Sequence, residues 1–228
     1  IELSNGYTIL IHMKMTGHLL YGTYSFDGKM WRPKEEVLKD PYNRFIHVIF
    51  LLSNKKSLAF CDSRKFGTVK IIKSSDVPEH YKKLGPEPLE SVFDLAKFKR
   101  ALQRKPAGRI KTVLMDQEII SGIGNIYSDE MLWASSIHPE EKVSNITGAQ
   151  FAKLFKEMKS VLSKGIDFGG DSMSDYRRID GQKGEFQNHH NVYRKAKEKC
   201  GRKNCKGVII RKVVGGRSAH FCKKKKKL

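Results

Sequence analysis

Residues 110–139, IKTVLMDQEIISGIGNIYSDEMLWASSIHP, constrain the fold more than any other stretch of this chain. Ile110, Val113 and Leu114 recur at the i, i+3, i+4 spacing of a short amphipathic helix. Ser121-Gly122-Ile123-Gly124 then interrupts the period, because two glycines so close together favour a turn. A second run starts at Asn125, which falls where a helix N-cap belongs. Ile126, Glu130, Trp133 and Ile137 share one stripe, with Tyr127, Met131 and Ala134 beside it, up to a stop at His138-Pro139. The pattern is two helices joined by a glycine turn. Backbone amides at such a helix start suit an anion, phosphate first. An ordinary helical hairpin fits the spacing equally well.

Charge points to a polyanionic partner. The net charge is +20, unevenly spread: residues 191–228 hold 15 Lys/Arg against one acid, Glu198, while residues 1–190 hold 29 against 23. A basic end of this density implies nucleic acid, with a solubilising tail as the alternative. No apolar run approaches the ~18 residues of a membrane-spanning helix.

Ahead of the helical stretch the chain reads as antiparallel β structure. Ser4-Asn5-Gly6 is a hairpin turn, and Tyr7–Met15, Phe45–Leu52, Ser57–Cys61 and Thr68–Ile72 read as strands. Only Ile1 to Leu3 stand before that turn, so the chain is expected to begin within a strand. Cys61, in an apolar strand, reads as a buried thiol. The loops His12-Met13-Lys14-Met15-Thr16-Gly17 and Asp62-Ser63-Arg64-Lys65-Phe66-Gly67 read in isolation as polar loops with one residue packed inward.

Leu84-Gly85-Pro86-Glu87-Pro88-Leu89 is a rigid connector. Ser91–Leu102 reads as a helix capped by Ser91 and Asp94. Thr147 and Gln150 form a capping box for a helix whose core face is Phe151, Leu154, Phe155, Met158, Val161 and Leu162, closed by Gly165. Residues 169–190 are glycine-rich and polar, too irregular for a packed element. Cys200, Cys205 and Cys222 bracket Val208-Ile209-Ile210 and Lys212-Val213-Val214, joined around Gly215-Gly216. A hairpin with thiolates at its base has the layout of a zinc ribbon, where metal substitutes for a core too small to fold alone. Three thiolates leave a tetrahedral site one ligand short, and His220 is set aside as pointing away from the Cys222 side.

LMDQ, GIGNIYxDExLW and IHP together resemble the helix–two-turn–helix of the formamidopyrimidine-DNA glycosylase and endonuclease VIII family. The resemblance extends to HxxM[ST]G at residues 12–17, DxR[RK]FG at 62–67, LGPEPL at 84–89, FQNxxxVY at 186–193 and GRSAHFC at 216–222. It implies an α+β fold: the remainder of an antiparallel β-sandwich at 1–83, incomplete at its start, a helix–two-turn–helix domain with a lesion-capping loop at 90–190, and a zinc-ribbon β-hairpin at 191–228. It implies a base-excision repair enzyme, a DNA glycosylase and abasic-site lyase. The partner it implies is double-stranded DNA carrying oxidised purines (8-oxoguanine, formamidopyrimidines) or abasic sites.

Carried over residue by residue, Met15, Arg64 and Phe66 fill the gap left when the damaged nucleotide leaves the duplex, a task suited to apolar wedges plus a hydrogen-bond donor. The same resemblance gives DNA contacts to His12, Arg109, Lys111, Asn125 and Tyr193. Arg217 would enter the DNA and assist strand cleavage. One structural zinc is implied on Cys200, Cys205 and Cys222, with a fourth ligand due near position 225, where the sequence has Lys223 to Lys227 and Leu228. A second family histidine would fall near Phe45, with His47 close by, and is not assigned. The family's proline nucleophile, glutamate and lysine would lie upstream of Ile1, so residues 1–228 alone are expected to bind DNA without cleaving it. A monomer in a bacterial cytoplasm is expected. LGPEPL and FQNxxxVY favour the oxidised-purine branch. The alternatives are an endonuclease VIII-like enzyme for oxidised pyrimidines and a non-catalytic nucleic-acid binder, which would leave Met15, Arg64, Phe66 and the thiol hairpin unexplained.

Overall fold

A computed structural model describes residues 1–173 and 175–224. Contacts divide the chain into two compact units, Ile1–Tyr81 with Gly165–His189, and Lys82–Lys164 with His190–Leu228.

The first unit is built on strands β1 (Tyr7–His12), β2 (His18–Gly22), β3 (Tyr24–Phe26), β4 (Trp31–Pro33), β5 (Ile46–Leu51), β6 (Ser57–Cys61) and β7 (Thr68–Lys73), followed by helix α1 (Val77–Tyr81). All pairings are antiparallel: β1 with β7, β6 between β2 and β5, and β3 with β4. The turn at Ser4-Asn5-Gly6 forms as expected. Gly6 has φ +81°, Leu3 N–H donates to Tyr7 O at 2.8 Å, and Ile9 N–H to Ile1 O at 2.8 Å. β1 stops at His12, short of the expected Met15, because Lys14 takes a left-handed φ of +53° and the chain turns, Gly17 N–H bonding Met13 O. Strands β2 to β4 were not legible, being three to five residues long with no clear alternation. Leu20, Tyr24, Leu38, Ala59 and Cys61 form this unit's buried core; Cys61 is buried as expected, and burial pushes its thiol up to about 12. The β5–β6 register shifts between Ile46 and Val48, a bulge that leaves His47 out of the ladder.

The stretch expected at 169–190 to be too irregular for a packed element differs from that expectation: among its described residues no strand and no α-helix occurs, yet it packs. Arg177 is 1% exposed, and Ser172 and Phe186 are buried. Ser172 Oγ accepts from Gly184 N–H at 2.7 Å, Ser172 N–H donates to Gln187, and Phe168 stacks on His189 at 3.7 Å, so the segment closes on itself. Its polar composition disguised this because side chains and backbone, rather than apolar periodicity, hold it.

The second unit contains α2 (Leu95–Gln103), α3 (Ile110–Leu114), α4 (Asn125–Ser135), most of α5 (Gly148–Asp167) and the hairpin β8 (Ile209–Val214) with β9 (Arg217–Cys222). α2 starts at Leu95 rather than Ser91, since Asp94 is itself the N-cap and accepts from Lys97 N–H at 2.8 Å. The Thr147–Gln150 capping box is present in both directions, at 2.9 and 3.3 Å. Gly165 does not end α5; the helix runs on to Asp167, and Gly169 and Gly170, at φ +68° and +88°, turn the chain after it. Ile110, Val113, Leu114, Ile119, Ile120 and Ile123 are each at most 2% exposed. Burial is worth roughly 1.5–3 kcal/mol for each such side chain. The core, not the turn, fixes the α3–α4 hairpin.

Candidate nucleic-acid interface and thiol cluster

Met15, Arg64 and Phe66 come together in the first unit. The Arg64 guanidinium lies 4.6 Å above the Phe66 ring, and its Nη1 is 3.6 Å from Met15 Sδ. Met15 is 68% exposed and Phe66 53%, unusual for side chains whose burial is favourable. Asp62 holds the two loops to each other. Its buried carboxylate accepts from the Thr16 hydroxyl in the first loop, and from Arg64 N–H at 3.2 Å and Gly67 N–H at 2.7 Å in the second. Burial opposes the charged form, but these hydrogen bonds outweigh it and lower the Asp62 pKa. His47, at the bulge, donates from Nε2 to the Asp62 backbone oxygen at 2.8 Å. Gly67 admits no side chain: a Cβ would stand 2.5 Å from Phe60 Cζ and 3.2 Å from His12 O. His12 ends β1 opposite Thr68, exposed, its pKa lowered by burial and by Lys14.

In the second unit the glycine turn is braced from both sides. Gln117 accepts from Gly122 N–H at 2.8 Å and donates to Ile123 O at 3.0 Å, while Ser121 bonds Pro86 O and the Glu87 carboxylate. Gly85 of the connector lies so close to Ile119 that a Cβ would approach its carbonyl carbon to 2.5 Å. Gly124, not Asn125, is the α4 N-cap, and no side chain caps the helix. Asn125 is the first helical residue, so the capping expectation is corrected. Its side chain makes no cap, and Oδ1 has no hydrogen-bond partner among the described residues. α4 also ends at Ser135, earlier than expected, because Ser136 turns left-handed at φ +68°.

Lys111 corrects the expectation of a DNA contact. It is 0% exposed, and its Nζ sits 2.5 Å from Asp129 Oδ1, 3.1 Å from Ser128 Oγ and 3.3 Å from Asn125 O. Burial lowers its pKa, opposed by Asp129. An ammonium enclosed in this way ties α3 to the first turn of α4 and is not available to a phosphate. The other Asp129 oxygen takes His220 N–H at 2.9 Å and Nδ1 at 3.0 Å, which commits His220 to α4 and away from the cysteines. Arg109 is the N-cap residue of α3, half exposed, with Nη1 3.7 Å from Glu140. Tyr193 packs edge-on to His220 at 4.9 Å. The stretch before it is held by Glu130, a buried carboxylate that accepts from the N–H groups of Asn191, Val192 and Tyr193 at 2.8–2.9 Å. Arg217 is exposed just after the Gly215-Gly216 turn, where a Cβ on Gly215 would come within 2.2 Å of Thr112. The turn therefore rests directly on α3.

At the hairpin base the ligand atoms of Cys200, Cys205 and Cys222 all lie within 4.8 Å of one another, Cys205 and Cys222 Sγ being 3.6 Å apart. Tetrahedral Zn–S bonds of ~2.3 Å set sulfurs about 3.8 Å apart, so the cluster suits one face of such a site. Burial raises the Cys200 pKa, but donors from Arg202, Trp133 and Cys222 prevail and bring it to about 6, favouring the thiolate at neutral pH. These three cysteines can hold a metal. The fourth ligand expected near position 225 lies outside the described residues.

Two family models match: formamidopyrimidine-DNA glycosylase N-terminal domain over residues 1–69, and formamidopyrimidine-DNA glycosylase H2TH domain over residues 84–177. The formamidopyrimidine-DNA glycosylase of Herpetosiphon aurantiacus is 37% identical over 97% of this chain and 75% of its own length. The chain belongs to the formamidopyrimidine-DNA glycosylase family. The same named protein of Pelotomaculum thermopropionicum is 38% identical with equal coverage. Among solved structures, Lactococcus lactis Fpg in complex with abasic-site DNA superposes with a TM-score of 0.79 at 32% identity, over 97% of this chain and 76% of that one. A MutM structure with DNA containing carbocyclic 8-oxo-G gives 0.81 at 31% identity, over 100% and 77%. The α+β class, the antiparallel sheets, the helix–two-turn–helix and the thiol-based hairpin all agree with this family of base-excision repair DNA glycosylases. Among the described residues no helix is long and apolar enough to cross a membrane.

Sequence reading missed Asp62, Asp129 and Glu130. Asp62 stands inside a quoted motif, yet its partners are backbone amides and a threonine 46 residues away, which no spacing rule exposes. Glu130 fell on the apolar stripe of α4, and that conflict was the available signal: an acid on a core face needs donors brought to it.

Proposed function

We propose that this chain recognises oxidised purines and abasic sites in double-stranded DNA, as a formamidopyrimidine-DNA glycosylase. The observation that carries this reading is Arg64 held between Met15 and Phe66 at the exposed tip of two cross-tied loops. Extruding a nucleotide leaves an apolar void and a partner base without hydrogen bonds. Met15 and Phe66 supply apolar surface for the void, and the Arg64 guanidinium supplies planar donors for the orphaned base. In the second unit, amides at the start of α4 and the Asn125 side chain would hold phosphate, with Arg109, Tyr193 and Arg217 as further contacts. His12 serves the same role beside the wedge. Arg217, at its glycine tip, is the residue we assign to assisting strand cleavage. The roles divide along residues 1–83 for the wedge, 90–190 for phosphate grip and lesion cover, and 191–228 for the hairpin.

Cys200, Cys205 and Cys222 would hold one zinc ion, which supplies structural rigidity to the hairpin that presents Arg217. We place the protein in the cytoplasm, where DNA is available. Binding titrations against duplexes containing 8-oxoguanine, thymine glycol or no lesion test the substrate class. Tightest binding to 8-oxoguanine is expected; a preference for thymine glycol would move the chain to the oxidised-pyrimidine branch. Affinity should fall with salt at roughly 0.9 log units per log unit for each phosphate engaged.

A further inference from the structure

Ser63, directly before Arg64, carries a contact from a distant part of the chain. Its Oγ donates to Asp175 Oδ2 at 2.5 Å, across 112 residues of sequence. Asp175 belongs to the glycine-rich segment that closes on itself, and that segment is fastened to the β unit beside this point. Both Asp40 oxygens lie 3.0 Å from Arg177 Nη2, the Arg177 guanidinium covers the Tyr42 ring at 4.8 Å, and Ile179 O accepts from Tyr21 N–H at 2.8 Å. A side chain as buried as Arg177 does not let go cheaply, because removing its partner would leave a charge without compensation. Asp175 is thus presented by a fixed neighbour two residues away. The loop it reaches needs that support. Lys65 holds a left-handed φ of +57°, and Phe66 stands in solvent, while Asp62 holds the Arg64–Phe66 tip through the N–H groups of Arg64 and Gly67.

We propose that Asp175 is a positioning residue for the wedge: through Ser63 it couples residues 169–189 to the loop carrying Arg64 and Phe66. The proposal rests on the wedge reading above. Order in the glycine-rich segment and the aim of Arg64 then rise and fall together, so a lesion that settles one settles the other.

The test is a double-mutant cycle on the full chain with Ser63→Ala, Asp175→Ala and both, plus Asp175→Asn. Two quantities are read: the ratio of affinities for abasic and intact duplex, and amide hydrogen exchange of residues 62–67 without DNA. Each alanine variant should lower the ratio roughly two- to tenfold, the worth of one hydrogen bond. The double variant should be no worse than either single one. Exchange at 62–67 should quicken in all three. Asp175→Asn keeps an acceptor oxygen, so it should retain the ratio while binding every duplex more tightly through loss of a negative charge. Additive alanine effects, unchanged exchange, or an Asn variant as impaired as the Ala one would overturn the coupling. A wild-type chain without abasic preference would instead refute the wedge reading, and the exchange arm would still decide the Ser63–Asp175 tie.

Discussion

Asp62→Asn isolates the support of the wedge with almost no change in shape. The carboxylate is 1% exposed and satisfies three donors, Thr16 Oγ and Arg64 N–H on one oxygen and Gly67 N–H on the other. Asparagine keeps one acceptor. If its oxygen stays with Thr16 and Arg64, the new NH2 confronts Gly67 N–H, losing a charge-assisted bond and stranding a buried donor. Flipping the amide satisfies Gly67, and the Thr16 hydroxyl can turn to accept, so the loss falls on the longer 3.2 Å bond from Arg64 N–H. The flipped form is the cheaper, and the cost should be about 1–3 kcal/mol, against more for Asp62→Ala, which abandons all three donors. A domain stable by roughly 5–15 kcal/mol survives this.

Urea denaturation should read the loss, and exchange at 62–67 should locate it. The pH dependence gives a second check. The folded pKa of Asp62 lies below its ordinary 3.8, so its contribution is fully present above 3.8 and is lost as pH falls through the folded value. That part of the acid-side slope should vanish in the Asn variant. A stability change under ~0.5 kcal/mol, the size of an ordinary surface substitution, together with an unaltered acid slope, would refute the role given to Asp62.

Glu130→Gln replaces an acceptor of several backbone N–H groups and should cost about 1–3 kcal/mol, with faster exchange at residues 191–193 and weaker binding to all duplexes alike. Gly215→Ala should destabilise the hairpin more than Gly216→Ala by denaturation. Both have positive φ, +56° and +75°, but only Gly215 faces Thr112, and nothing lies within 4 Å of a Cβ on Gly216. Zinc measured by elemental analysis should be readily removed by a chelator, and Cys200→Ser should lower its content; one tightly held ion that survives Cys200→Ser would remove Cys200 from the ligand set.

The helical hairpin was legible because Ile110, Val113 and Leu114, and then the run from Ile126, carry a helical period that two glycines interrupt. The hairpin turns at residues 4–6 and 215–216 were legible for the same local reason. Strands β2 to β4 were not, since short strands in a small sheet take their place from partners distant in sequence. Met15, Arg64 and Phe66 could be read from motif, but what holds them could not. Lys111 shows the converse failure: a lysine among basic residues reads as surface, and only the three-dimensional closeness of Asp129 and Ser128 makes its burial tolerable. Arg177 is a second such case, hidden in a segment whose composition suggests no packing at all.

The most direct measurement of the central claim is equilibrium binding to a duplex with an abasic-site analogue and to the same duplex intact, for the wild-type chain and for Met15→Ala/Arg64→Ala/Phe66→Ala. The wild type should prefer the abasic duplex, and the triple variant should lose most of that preference while keeping its affinity for intact DNA, because only an extruded state exposes the void these side chains fill. An unchanged preference in the triple variant would mean that Met15, Arg64 and Phe66 form an ordinary surface.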